Sequence, residues 1–377
     1  MRRSTYLDYN ATAPVRPAVT AAVSAVLAET GNPSSVHGFG RAAHARLETA
    51  REQVAALVGA RPGQVVFTSG GTEANDLAIG GSGHPHVLAS AIEHDSVLKA
   101  AACALIPVDR CGVVDLAALE HMLAAVSAPA LVSVMLANNE TGVIQPVAEA
   151  ARIAHAHGAL LHCDAVQAAG KIWVDVAALG ADLLSLSAHK LGGPPGVGAL
   201  IVVDHVALAA RLRGGGQERG RRAGTENLPG IVGFGVAAEI AAAELPALAA
   251  LGDLRDDLER QVLTTVSGAR RFGADAPRLP NTSCLALPGL SSELQVMGLD
   301  LAGVAVSAGS ACSSGKVRPS HVLQAMGVDT ATAGSAIRVS LGWQSSAADV
   351  EHFLAAWREL AARARARPRP VDGLSAA

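Results

Sequence analysis

Between about residues 50 and 205 the chain repeats one pattern, a short apolar run followed by a helical stretch. Such alternation specifies β-α units around a mainly parallel sheet, and few other folds accommodate it. The runs predict strands at 65–68, 87–92, 131–136, 159–163, 183–186 and 197–203. Ser69-Gly70-Gly71 turns the first of these into a helix opening at Thr72, and Asp95 or Ser96 is expected to cap the helix after the second. A further helix covers 147–157 and ends at Gly158, a good C-cap. Polar residues fall just past the carboxyl end of strand after strand: Thr72, Glu93-His94, Asn138-Asn139-Glu140, Asp164 with Gln167, and Ser187-Ala188-His189-Lys190. In open parallel sheets ligands bind outside those ends. Capping explains any one cluster, but five at equivalent topological positions argue for a ligand site.

From about Leu251 the pattern changes. A charged helix at 253–266, a strand at 282–287, a Ser/Gly-rich stretch at 307–315 and a final helix at 347–364 imply a second, α+β domain, with the Arg/Pro tail 363–370 as a solvated end. The stretch 230–252 is long enough to span a membrane, but Glu239, Glu244 and Pro246 favour a buried or amphipathic helix. A net charge of −3 gives no electrostatic case for nucleic acid or an anionic membrane surface. The run Arg211, Arg213, Arg219, Arg221 and Arg222, broken by Gly214-Gly215-Gly216, lacks the interleaved aromatics of a base-stacking platform. It suits a loop that binds a phosphate or a neighbouring subunit. No cluster of His, Cys and Asp has metal-ligand spacing. Five cysteines form no C-x-x-C pair and no charged-then-apolar leader follows Met1, which together point to a reducing cytoplasm.

Four features carry chemistry. Ser69-Gly70-Gly71-Thr72 brings small residues to a helix start, where backbone N–H groups and the helix dipole favour an anion. It is not a Walker loop, and the glycines of 192–198 precede a strand, so a dinucleotide fingerprint fails as well. Lys190, closing an apolar strand beside Ser187 and His189, is either a surface lysine with a buried stem or a Schiff-base lysine with a depressed pKa. Asp164, in LLHCDAVQ, needs a partner if buried: a protonated pyridine nitrogen or an arginine. Cys312 lies among Ser and Gly in SAGSACSSG without apolar periodicity, whereas Cys103 and Cys163 read as core. It is either an incidental thiol or an accessible, reactive one.

Taken in order, YLDYNATAP, NPSSVHGFG, FTSGGTEANDLAI, EHDSVL, NNETGVIQP, DAVQAAGK, SAHKLGGPPGVGAL, GGGQERGRRAGTEN, SAGSACSSGKVRPSHVL and IRVSLG closely resemble the cysteine desulfurases of the NifS/IscS type, group I. These are pyridoxal 5'-phosphate enzymes of the class V aminotransferase group. The resemblance implies the fold type I architecture of such transferases, α/β, with a mainly parallel seven-stranded sheet flanked by helices in a large domain (16–250). A smaller α+β domain (1–15 and 251–377) would carry the cysteine loop at about 307–320. It implies that Lys190 holds the cofactor, that Gly71, Thr72, Ser187 and His189 bind its phosphate, and that Thr225 reaches the phosphate of the partner in a homodimer. Asp164 would pair with the pyridinium nitrogen, Gln167 with the ring oxygen, and His94 would stack on the ring and help move protons. Asn139 would contact cofactor and substrate, Arg338 would fix the substrate carboxylate, and Cys312 would be the nucleophile that takes sulfur from L-cysteine. An iron–sulfur scaffold or another acceptor protein would receive that sulfur. Gly71 stands where many members carry alanine, a departure expected only to ease approach to the phosphate.

Overall fold

Apolar runs of four or five residues, too short for helices and mostly bounded by turns, become the strands of a seven-stranded sheet in this computed structural model, which describes residues 4–309 and 318–366. Across the sheet the order is Val65–Thr68, Gly198–Val202, Leu183–Ser187, Leu160–Asp164, Ala130–Ser133, His86–Ser90 and Cys103–Ile106. All pairs are parallel except the two made by Gly198–Val202, which runs against both neighbours. Four of the strands are buried along their whole length and Leu160–Asp164 along all but its first residue, as expected where helices cover both faces. The core on one face joins Leu47 and Val54 to Phe67, Val132, Leu161, Leu186 and Phe234, and the other packs Leu77 and Ile79 on Val66, Leu131 and Leu200.

Three expectations change. The strand Cys103–Ile106 was hidden in the sequence because it is an edge: Leu105 is 53% exposed and Cys103 only half-buried, so Cys103 is not the core residue expected. The strand expected at 131–136 ends at Ser133, though Val134 and Leu136 N–H still bond to the carbonyls of His162 and Asp164. The short helix Asp95–Leu98 is capped by His94, whose Nδ1 accepts from Ser96 N–H, and not by Asp95 or Ser96.

Among the described residues one helix, Leu228–Ala249, is long and apolar enough to cross a membrane by length and composition. Here Ile231, Phe234, Ala237 and Ala238 are buried in the main core, and Gly235 lets the helix approach Ala50 closely, where an added Cβ would come within 2.8 Å of its Cα. A second sheet, antiparallel throughout, has the order Ser307–Ala308, Ala336–Ser340, Thr282–Ala286, Arg270–Phe272. Its apolar face meets helices Leu251–Thr265 and Ala347–Ala366 in a separate cluster that includes Leu258, Leu285, Val339, Phe353 and Trp357. Phe353 and Trp357, one helical turn apart, stack at 5.7 Å, and the indole N–H donates to Gln295 Oε1 at 2.9 Å, so the ring is buried without losing its hydrogen bond. Thr5–Tyr6 pairs in parallel with Val304–Ala305 and Leu7 joins this second cluster, which brings the start of the chain beside its last third. Arg363 and Arg365 of the expected solvated end belong to the last helical turn, where cations favour the dipole, and both are exposed; 367–370 lie outside the described residues.

Candidate active site

The carboxyl ends of the parallel strands open into a cleft of about 270 Å³ lined by residues from every predicted cluster: Gly71, Thr72, His94, Asn139, Asp164, Gln167, Ser187, His189 and Lys190. Lys190 follows strand Leu183–Ser187 in one turn of 3₁₀ helix, which turns its side chain back toward the start of the chain. Its Nζ donates to the carbonyls of Asn10 (2.6 Å) and Ala11 (2.9 Å). Burial, and then the charge of Arg338, lower its pKa to about 8. The same burial, with Lys190 beside it, lowers His189 to about 4, so that imidazole is neutral at physiological pH.

Asp164 ends its strand with one oxygen bonded to Asn75 Nδ2 (2.7 Å) and the other to Val166 N–H (2.9 Å). Among the described residues no arginine or lysine pairs with it, and the buried carboxylate faces the cleft. Beneath it, His162 is held between Ser133 Oγ (2.8 Å) and Ser185 Oγ (2.9 Å), and burial lowers its pKa to about 4. Glu93, fully buried and near the charge of Asp164, is pushed well above the carboxylate range, though Met135 N–H donates to its Oε1 at 2.6 Å.

The helix Gly71–Gly81 begins at the cleft with no side chain capping its first turn, leaving N–H groups and the positive dipole end for an anion. Ser187 Oγ is buried there without a hydrogen-bond partner. A methyl group on Gly71 would come within 2.8 Å of Val166 Cγ2, so the glycine is matched to Val166 as well as to backbone approach. His94 Nδ1 is committed as an acceptor to Ser96 N–H, which places the imidazole hydrogen on Nε2.

Two predicted residues stand apart. Arg338 is buried behind Asn139, donating to its carbonyl (3.1 Å) and to Asp8 Oδ1 (2.8 Å), with Nε unpaired. Thr225 is exposed and lines different cavities, one of them of about 630 Å³ with Asn32, Pro33 and Phe39. The loop before Thr225 is strained: Glu218 and Arg219 have φ of 46° and 58°. It is held by a buried two-pronged Arg51–Glu218 ion pair and by Phe67 N–H. Arg211 and Arg222 of the basic run are paired with Asp76 and Glu73. Cys312 lies outside the described residues.

Sequence reasoning missed Asn75, Asn10, Asp8 and Lys171. Asn75 was findable, being one helical turn beyond Gly71 on the face that reaches the cleft.

The class-V aminotransferase family matches residues 5–353. A cysteine desulfurase of Rhodobacter capsulatus is 46% identical, covering 97% of this chain and 98% of that protein. A NifS-like protein from Rickettsia africae superposes with a TM-score of 0.89 at 35% identity, over 95% of this chain and 99% of the other. A structure of SspA in complex with cysteine gives a TM-score of 0.77 at 31% identity, over 90% of this chain and 99% of the other.

Proposed function

The chain belongs to the cysteine desulfurases of the class-V aminotransferase family, and from that premise we propose that its cleft binds pyridoxal phosphate and L-cysteine and passes the sulfur to Cys312. One observation carries this reading: a lysine with a strongly lowered pKa and a buried carboxylate without a cation line the same cleft. The residues fit the cofactor. Asp164 awaits a cation such as a pyridinium, and Ser187 Oγ, His189 and the uncapped start of Gly71–Gly81 suit its phosphate. Lys190 would hold its carbonyl carbon, and Gln167 and His94, which line the same cleft, would contact the ring. Bound there, pyridoxal phosphate supplies an electron sink conjugated to the substrate's α-carbon.

The protein's own groups do the rest. Lys190 Nζ, about a quarter neutral at pH 7.5 against about a thousandth for an ordinary lysine, takes the proton from the substrate Cα. The Cys312 thiolate attacks the substrate sulfur: an S–S bond forms, the C–S bond breaks, and its electron pair stays on carbon, which takes a proton. L-cysteine and the enzyme thiol thus become L-alanine and an enzyme persulfide, with no outside oxidant. An iron–sulfur scaffold or another acceptor protein then receives the sulfur. Residues 16–250 form the cofactor-holding domain, and 1–15 with 251–377 the smaller one. A homodimer brings Thr225 to the phosphate of the partner's site, which accounts for its exposure here. The setting is the cytoplasm, where the cysteines stay reduced.

Purified protein loaded with pyridoxal phosphate is expected to be yellow and to form alanine and sulfide in equal amounts from L-cysteine with a thiol reductant. Failure to take up the cofactor, or alanine without sulfide, overturns the reading. Arg338→Lys keeps the charge but loses the planar fork, so KM for L-cysteine is expected to rise about tenfold while kcat changes little. Steady-state kinetics across cysteine concentrations checks the split.

A further inference from the structure

Lys171 is a second buried lysine, packed behind the cleft and absent from its lining. Its Nζ donates to Gln167 Oε1 and to Asn10 Oδ1, each at 2.7 Å. The charged groups that reach it are Lys190 and Arg338, both cations. With burial they hold its amine well below the ordinary lysine range, and it donates to two amide oxygens. A methionine would fill this space without desolvating an amine, so packing gives no reason for a lysine here.

Its two partners explain the lysine. Gln167 lines the cleft, and its Nε2 donates to the carbonyl of Asn10 at 2.9 Å. Both contacts fix the amide in one orientation, because a carbonyl can only accept and Lys171 donates to the oxygen. One N–H of Gln167 remains for the cleft. The Asn10 carbonyl is also the acceptor that holds Lys190 Nζ.

Resting on the pyridoxal-phosphate reading, we infer that Lys171 is a positioning residue for that cofactor: it locks Gln167 so that an N–H, and not a carbonyl oxygen, faces the ring oxygen. An N–H there withdraws charge from the oxygen and lowers the basicity of the lysine-bound cofactor; a flipped or free amide leaves it more basic.

The test is a pH titration of the visible absorbance of the loaded enzyme without substrate, in wild type, Lys171→Met, Gln167→Leu and the double variant, with apoprotein melting recorded alongside. The midpoint is expected to rise by about one pH unit, tenfold in proton affinity, in each single variant. The double variant should shift no further than either, since both act through one amide. Additive shifts, or an unchanged or lowered midpoint in Lys171→Met, overturn the inference. If Lys171→Met does not fold, an unchanged midpoint in Gln167→Leu overturns it. Wild type that takes up no cofactor defeats the functional reading instead.

Discussion

Lys190→Ala is expected to lower the rate of alanine formation from L-cysteine by at least about 10³-fold while leaving the fold intact. The lysine is asked for two things, a covalent hold on the cofactor and a base at the substrate Cα, and a positioned base alone is worth about 10² to 10⁴. Its aliphatic stem is not fully enclosed, and the substitution removes two hydrogen bonds to carbonyls of a neighbouring segment, so circular dichroism should be unchanged. Arginine should not substitute. Its guanidinium stays charged where the lysine amine, lowered to about 8, can lose its proton. A small primary amine diffusing into the space left in the alanine variant should recover part of the rate, in proportion to its neutral fraction. Alanine formation within tenfold of wild type would mean that another group moves the proton.

The parts of this site that sequence reveals are those where polar residues interrupt an apolar strand pattern. Asp164 and Lys190 stand out because each closes a run that is otherwise buried, and the sheet brings those ends to one edge. Asn10 had no such signal. It reaches Lys190 across 180 positions, and nothing local in its segment says which strand end it will meet. Lys171 was hidden for a related reason: within an Ala/Gly-rich stretch it reads as a surface lysine until packing shows both of its acceptors to be buried. The antiparallel course of Gly198–Val202 was also illegible, since an apolar run carries no direction. His94 as a helix cap defeated the usual rule because its ring nitrogen does what a serine or aspartate oxygen commonly does.

Cys312→Ala is expected to abolish protein-bound persulfide and sulfide release, and to reduce alanine formation by at least about 100-fold. The sulfur needs a thiolate to attack it, and none of the four described cysteines lines the cleft. Burial raises the thiol pKa of Cys163 and Cys284 well above the ordinary range, so neither yields a thiolate near neutral pH. Cys103 is also raised, and its sulfur is bonded to the carbonyls of Val97 and Ala101 at an edge of the sheet. Cys111 sits in a turn after Asp109, away from the cleft residues, and Cys111→Ala should keep wild-type turnover. That leaves the thiol in SAGSACSSG, the cysteine that the sequence sets among small polar residues without apolar periodicity. Both variants are incubated with L-cysteine and pyridoxal phosphate, then alanine, persulfide and reductant-released sulfide are quantified. Alanine formed equally by wild type and Cys312→Ala would show that sulfur leaves without this thiol, and the enzyme would then be a lyase that uses no protein acceptor of its own.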